Sequence, residues 1–199
     1  MPSKSADSPA SSWRTFVAIE VPVEVRQRVL DHAQRLRSFT PSIQASWTRL
    51  ENIHLTLKFF GNVARDEISQ ISAAADAVCE KFSPIDMRVE GTGTFPRHGP
   101  PRVLWIGLND PSDKLLELQN EFEFECARRG FPAEDRVFHP HLTVARLRIP
   151  HGSRKLGELH KTTKFPAIGF KVTELTVLRS ELSSDGSRYT KLSTHVLRT

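Results

Sequence analysis

Two short segments carry the residue types that acid–base chemistry needs. His54-Leu55-Thr56-Leu57 and His141-Leu142-Thr143-Val144 repeat the pattern His-x-Thr-x, with the two histidines 87 residues apart. Each segment predicts a β-strand, because apolar and β-branched residues alternate with polar ones. Side chains two apart on a strand point to the same side, so each histidine shares a face with its threonine. Both strands are therefore predicted to bury their aliphatic residues and to display an imidazole and a hydroxyl.

The two histidines suggest proton transfer at neutral pH. An unperturbed imidazole titrates near pH ~6.5, so one ring can act as a base while the other acts as an acid. A threonine hydroxyl beside each ring can donate a hydrogen bond to a phosphoryl oxygen. The pattern favours phosphodiester cleavage, in which one histidine deprotonates the attacking oxygen and the other protonates the leaving oxygen. A single histidine is more often a structural residue, but the repetition in matching strand contexts argues against that interpretation for this pair.

Strand and helix patterns recur around each motif. Strands are predicted over 14–21, 54–60, 86–94, 103–108, the second motif, 170–178 and 187–197; helices are predicted over 22–37, 64–82, about 112–129 and near Leu156. This order predicts an α+β fold with two similar lobes, each a mainly antiparallel sheet with helices on its outer face. The two sheets would face each other across a central cleft, and each would contribute one His-x-Thr-x strand.

Composition limits the classes of protein that this chain can represent. The 199 residues include 28 Lys and Arg against 23 Asp and Glu, a modest excess that gives mild support for a polyanionic partner. Cys79 and Cys126 fall in predicted helices without CxxC spacing, so we expect free thiols in a reducing compartment. No run approaches the ~18 apolar residues of a membrane helix. We expect a cytoplasmic protein that makes no membrane contact.

The sequence also predicts the state of the N-terminal segment and the number of domains. Residues 1–12 are rich in Ser, Pro and Ala and lack the apolar core of a signal peptide, which predicts a disordered tail. Residues 13–199 are long enough to bury a core of their own. We predict that they form a single bilobal domain.

The motifs and their flanks resemble the RNA 2′,3′-cyclic phosphodiesterases, historically called 2′-5′ RNA ligases, of the 2H phosphoesterase superfamily. A pair of His-x-Thr-x motifs is the hallmark of that superfamily. The resemblance runs from about Thr15 to about Leu197, nearly the whole chain. The segments that carry it are Phe16-Val17-Ala18-Ile19, Trp47, Asn52 to Gly61, Phe138, Pro140 to Arg146, Leu178 to Leu182, Gly186 and Tyr189.

This resemblance implies a bilobal, pseudo-twofold fold whose lobes exchange strands. It also implies an enzyme that opens terminal 2′,3′-cyclic phosphates on RNA to 2′-phosphates. It implies that His54 is the proton donor at O3′ and that His141 is the proton acceptor that prepares the water; the residues alone do not decide these roles. Thr56, Thr143 and Arg146 are assigned to the substrate phosphate. Arg146 lies five residues after His141, an odd offset that places it on the opposite face of a regular strand, so a strand end, twist or bulge must turn it inward.

Other side chains are less specific. Lys58 is in phase with His54, but we expect an exposed lysine at the strand end. We expect His139 to be a bystander and five further histidines to lie on the surface: His32, His98, His151, His160 and His195. Trp47, Phe60 and Phe95 could stack on a base, although aromatic residues near strands are more often in the core. Basic residues between 148 and 164 could follow an RNA backbone or form a solvated loop.

Metal and nucleotide cofactors find little support in the sequence. A zinc site needs three or four convergent ligands, and neither motif brings an obvious carboxylate or thiol. The chain has no P-loop and no GxGxxG. We expect no metal and no cofactor, and a monomer that acts on RNA with a 2′,3′-cyclic phosphate end. Alternatives are a phosphodiesterase for small cyclic nucleotides, 2′-5′ RNA ligation as the reverse reaction, and a non-catalytic module that binds RNA ends.

Overall fold

The computed structural model describes residues 12–149, 151–184 and 186–198. The elements in chain order are β1 (Ser12–Glu20), α1 (Val23–Phe39), β2 (Ser46–Trp47), β3 (His54–Ala64), α2 (Ile68–Cys79), β4 (Ile85–Phe95), β5 (Val103–Asn109), α3 (Lys114–Arg128), β6 (His141–Arg146), α4 (Ser153–Thr162), β7 (Ile168–Val172), β8 (Glu174–Ser183) and β9 (Gly186–Val196). Short 3-10 turns at Leu50–Asn52 and Arg65–Glu67 precede β3 and α2. The predicted tail lies outside the described residues, except for Ser12, which begins β1.

The described strands form one curled antiparallel sheet with the two motif strands at its centre. The strand order is β7-β4-β5-β6-β3-β1-β8-β9, and β2 pairs with β6 outside this path. The motif strands β3 and β6 pair where Leu55 meets Leu142. Four strands therefore extend on each side of this bridge, which confirms the predicted α+β fold with two lobes. The two predicted sheets are the two halves of this one curled sheet.

Helices cover the outer face of each lobe. The lobe of β3, β1, β8 and β9 carries α2 and α3, whereas α1 and α4 pack on the lobe of β6, β5, β4 and β7. In α1, the buried side chains of Val25, Val29, Ala33 and Leu36 recur at helical spacing and face the sheet. Helix α1 thus follows β1 in the chain but packs on the other lobe.

The chain also crosses between the lobes at Thr173. Strand β7 pairs with β4 in one lobe, and β8 pairs with β1 in the other. The segment predicted as one strand over 170–178 is therefore two strands that belong to different lobes. Repeated crossings of this kind tie the lobes together, so no single position in the chain divides them.

Two element ends differ from the prediction for local reasons. Strand β3 continues through Gly61, whose positive φ of 77° suits glycine, as far as Ala64. The helix predicted from residue 64 consequently begins at Ile68. At the start of α3, Asp113 rather than Ser112 occupies the N-cap position, while the Asp110 carboxylate accepts from the backbone N–H of Leu115 at 2.7 Å.

Three histidines that were predicted to lie on the surface are buried. His32 on α1 and His160 on α4 have no exposed surface, and their rings meet with Nε2 and Nδ1 3.0 Å apart. His195 on β9 is 6% exposed, and its Nδ1 lies 2.6 Å from the Asp76 carboxylate. The prediction was wrong because each of these rings finds its partner through contacts between elements that are distant in the chain.

The predictions for two other histidines and for both cysteines agree with the structure. His98 and His151 are exposed. Cys79 and Cys126 are buried free thiols. Among the described residues, no helix has both the length and the apolar character needed to cross a membrane.

Candidate active site

The Leu55–Leu142 bridge brings the two motifs together. Both leucines are buried in the core, and they are cross-strand partners in antiparallel register. In this antiparallel register, the neighbours of the leucine pair place the histidine of each motif opposite the threonine of the other. All four of these side chains are partly buried and lie on the sheet face opposite to the leucines: His54, Thr56, His141 and Thr143. The cleft between the lobes therefore holds two imidazoles and two hydroxyls.

A β-bulge sets the orientation of Arg146. The register of β6 against β5 passes from Thr143 to Ala145 and leaves Val144 without a partner. An extra residue shifts the alternation of a strand by one, so Val144 and Ala145 are both buried and Arg146 is exposed. The positive charge of Arg146 lowers the pKa of both motif histidines, after the larger effect of burial. Its guanidinium thus lies close enough to act on both rings.

The first motif has the same bulge, and there it buries a lysine. The register of β3 against β1 passes from Thr56 to Lys58 and leaves Leu57 without a partner. Lys58 is 5% exposed. Its Nζ lies 2.5 Å from a Glu123 carboxylate oxygen and donates to the Pro132 carbonyl at 2.8 Å. The expected exposed lysine is therefore wrong, because the bulge turns Lys58 away from the cleft and toward α3.

The backbone fixes the tautomer of His141. Its Nδ1 lies 2.7 Å from the carbonyl oxygen of His139. A carbonyl can only accept, so Nδ1 carries the hydrogen and Nε2 of the neutral ring is an acceptor. Burial lowers the pKa of His141, although the hydrogen bond to His139 opposes that change. The residue predicted to be a bystander thus orients the second motif histidine through its main chain.

His54 is held between aromatic rings and a hydroxyl. Its Nε2 lies 3.0 Å from Thr56 Oγ1, and its ring centroid lies 5.0 Å from that of Phe16 and 5.3 Å from that of Tyr189. Burial lowers the pKa of His54 to about 4, whereas a hydrogen bond with the backbone of Asn52 raises it. Each motif histidine therefore contacts the backbone two residues before it in the chain.

Aromatic side chains also surround His141. The ring centroid of His141 lies 5.2 Å from that of Phe95, and Trp105 packs against His139 at 4.6 Å. The indole ring of Trp105 lies over Gly93, where an added Cβ would come within 2.1 Å of it. Glycine at position 93 therefore makes room for a flat aromatic wall in this half of the cleft.

Of the three aromatic residues that the sequence suggested for base stacking, one lies in the cleft and two lie in the core. Phe95 lies beside His141. Phe60 instead packs edge-on against Phe122 and Phe131, and Trp47 packs against the core. Four further residues lie beside the motif histidines although the sequence suggested no role of their own for them: Phe16, Glu20, Trp105 and Tyr189. Phe16 and Glu20 are four residues apart on β1, so the sequence predicts that they share a face of that strand. Which face points to the cleft depends on the strands that pair with β1.

Metal donors are sparse in this cleft. Within 12–149, 151–184 and 186–198, no three His, Cys, Asp or Glu side chains are grouped so that they could hold a metal ion. The groups that the structure brings together are imidazoles, hydroxyls and a guanidinium, which are proton carriers and hydrogen-bond donors to an anion.

The chain is similar to known proteins over most of its length. A profile of the 2′-5′ RNA ligase superfamily matches residues 21–183. An RNA 2′,3′-cyclic phosphodiesterase of Methanothermobacter thermautotrophicus is 32% identical over 90% of this chain and 96% of its own length. One from Thermotoga maritima is 33% identical over 88% of this chain and 91% of its own length.

Solved structures give the same result for the fold. A crystal structure of a Thermus thermophilus protein superposes with a TM-score of 0.77 and 26% identity, over 93% of this chain and 98% of that chain. Escherichia coli LigT complexed with 3′-AMP gives a TM-score of 0.72 and 26% identity, over 94% and 99% respectively. The resemblance inferred from the two motifs is confirmed: the chain belongs to the 2′-5′ RNA ligase superfamily.

Proposed function

We propose that this chain hydrolyses the terminal 2′,3′-cyclic phosphate of RNA to a 2′-phosphate, without a metal ion. The observation that carries the proposal is the convergence of two imidazoles on one cleft, with the charge of Arg146 acting on both. The relatives named RNA 2′,3′-cyclic phosphodiesterase support the substrate class. One chain supplies both motifs, so a monomer is sufficient for the proposed site.

His141 is the general base in this proposal. Its Nδ1 is committed to the His139 carbonyl, which leaves the Nε2 lone pair for a water molecule. His141 removes a proton from this water as the water oxygen attacks phosphorus. In-line attack requires the leaving oxygen to lie on the opposite side of phosphorus, and hence nearer the other lobe.

His54 is the general acid. As the bond between phosphorus and O3′ breaks, the imidazolium of His54 gives its proton to O3′, and the product carries a 3′-hydroxyl and a 2′-phosphate. Thr56 and Thr143 donate hydrogen bonds to the non-bridging oxygens, and Arg146 stabilises the charge that develops on them. The chemistry involves the ribose phosphate, and the aromatic side chains need only stack on the terminal base, so base sequence should matter little.

The central experiment is turnover of an oligonucleotide with a 2′,3′-cyclic phosphate end, in the presence of EDTA. His54→Ala and His141→Ala should each lose roughly 10²–10⁴-fold in rate. The double variant should lose far less than the product of the two, because the residues act as a unit. His151→Ala, at an exposed histidine, is the matched control. Wild-type turnover by either motif variant would overturn the assignment, and activity lost to EDTA and restored by a divalent ion would overturn metal independence.

Product analysis separates the remaining alternatives. Phosphorus NMR should detect a 2′-phosphate; a 3′-phosphate as the main product would mean that the substrate binds the other way round and the two histidines exchange roles. Rates on the oligonucleotide and on a cyclic mononucleotide, compared at equal concentration, test the preference for RNA. Binding of the RNA end with no turnover would instead favour a binding module, and product joined through a 2′-5′ bond would favour ligation.

A further inference from the structure

The two halves of the cleft differ at the position that flanks each motif histidine. Strands β1 and β5 lie on the outer edges of the motif strands β3 and β6, and so they correspond under the pseudo-twofold symmetry. Glu20 on β1 is the cross-strand partner of His54, and Gly107 on β5 is the cross-strand partner of His141. A carboxylate therefore flanks the first ring, whereas the second ring has a residue without a side chain.

Glu20 is held on the cleft side of the sheet. Its Oε2 lies 2.5 Å from Nζ of Lys191 on β9. Lys191 follows Tyr189 by two residues, and Tyr189 packs on the ring of His54. The Glu20 side chain is 40% exposed, so its carboxylate stays near the cleft surface rather than in the core. Cross-strand partners have Cβ atoms about 4.5–5.5 Å apart, which brings this carboxylate within electrostatic reach of His54.

The charged side chains that act on the two rings differ in the same way as the two flanking positions: among the residues that the structure describes, a carboxylate acts on His54 but not on His141. Burial has the largest effect on the pKa of His54 and lowers it; among charged side chains, Glu20 raises it, while His141 and Arg146 lower it. Burial also lowers the pKa of His141, and the charged side chains that act there, His139 and Arg146, lower it further. In the described part of the chain, a carboxylate favours the imidazolium form of the first motif histidine alone.

We propose that Glu20, held by Lys191, is a positioning residue that selects His54 as the general acid. A ring that must enter the reaction protonated gains from a fixed carboxylate beside it, whereas the base must enter neutral and gains from its absence at Gly107. This inference rests on the proposed function. It goes beyond the His-x-Thr-x pairs, because those pairs are symmetric and leave the direction of proton transfer open.

The test measures His54 itself, by NMR titration of the imidazole in the full chain. In Glu20→Gln, the pKa of His54 should fall by about 0.5–1 pH unit, a size typical of a screened charge near the surface. The alkaline limb of the kcat/KM profile should move the same way, with a loss of about 3–10-fold above that limb. Glu20→Asp should restore part of the effect. The matched control is Asp86→Asn, which removes the carboxylate of the exposed Lys171 ion pair at the far edge of the sheet.

A substrate with sulfur in place of O3′ isolates the acid step. A thiolate leaves without being protonated, so Glu20→Gln should lose little activity on this substrate while losing activity on the natural oxygen ester. Equal losses on both substrates, or an unchanged His54 pKa in Glu20→Gln, would overturn the role of Glu20 and leave the proposed function standing. Wild-type turnover by His54→Ala would instead overturn the proposed function.

Discussion

At the residue scale, Arg146 reaches the cleft only because Val144 is an extra residue in β6. Two neighbouring strands hold the backbone there, since Arg146 pairs with Val103 on one side and with Ser46 on the other. If the planar guanidinium holds two phosphoryl oxygens, an ammonium cannot replace it. Arg146→Lys should therefore lower kcat/KM on the cyclic-phosphate oligonucleotide by roughly 10-fold or more. The control is Arg148→Lys, at an exposed arginine two residues further on, and equal kinetics in both variants would mean that Arg146 makes no such contact.

The residues of the candidate site were predictable to different degrees. The two histidines and two threonines follow from a repeated tetrapeptide, because alternation within one strand determines that His and Thr share a face. Glu20 carries no comparable signal. An acidic residue at the end of β1 reads as a solvated side chain until the register of β1 against β3 sets it opposite His54. Side chains that act from a neighbouring strand thus depend on pairing, which the local pattern does not contain.

At the element scale, the bulge in β3 makes Lys58 an anchor for α3. Lys58→Met would leave the Glu123 carboxylate, which is 16% exposed, without its cation. Breaking a buried ion pair typically costs 3–5 kcal/mol, but Glu123 also accepts from the backbone N–H of Glu134 at 3.2 Å. We therefore expect a loss of about 2–3 kcal/mol in the free energy of unfolding, measured by urea denaturation, with kcat nearly unchanged.

The control for this prediction is Lys171→Met. Lys171 forms an exposed ion pair with Asp86 at 2.6 Å, and such surface pairs contribute only about 0–1 kcal/mol. A Lys58 variant that is as stable as the control but less active would contradict the structural role and would indicate that Lys58 contacts the substrate.

Element boundaries and strand faces were predictable only where the alternation is unbroken. All four residues of each motif follow the expected alternation, and the bulge at the fourth, Leu57 in β3 and Val144 in β6, inverts it from the fifth residue on. This inversion explains why the phase of Lys58 was misleading and why that of Arg146 could not be resolved from the sequence. A bulge is a property of two paired strands, so the sequence of one strand does not reveal it.

At the scale of the whole molecule, the α+β class and the two lobes were predictable because strand and helix patterns recur around each motif. The exchange of elements was expected only from the resemblance. Its physical basis is tertiary: β1 and α1 are consecutive in the chain, but each packs in a different lobe. The buried pair of His32 and His160 belongs to the same level of organisation, because it joins α1 to α4 across 128 residues of chain.

This buried pair also links the fold to pH. His160 Nε2 lies 2.9 Å from the Trp105 carbonyl, so it carries the hydrogen, and His160 Nδ1 must accept from Nε2 of His32. His160 is neutral in this arrangement, and the burial of His32 favours its neutral form as well. Burial lowers the pKa of His32 to about 4 and also lowers that of His160. Between pH ~6.5 and 4, the unfolded chain therefore binds protons that the folded chain excludes.

The stabilisation that these neutral rings provide is complete above pH ~6.5 and decreases as the pH falls, by about 1.4 kcal/mol per pH unit for each excluded proton. Urea denaturation at pH 7.5 and at pH 5.0 should thus give a lower free energy of unfolding at pH 5.0, in a range above the titration of most carboxylates. His32→Met should be less stable than the wild type at pH 7.5 but should depend less on pH, because one excluded proton is gone. His98→Ala, at an exposed ring, should keep the wild-type slope. The same slope in His32→Met and in the wild type would contradict the assignment, because the loss of stability in acid would then come from other groups.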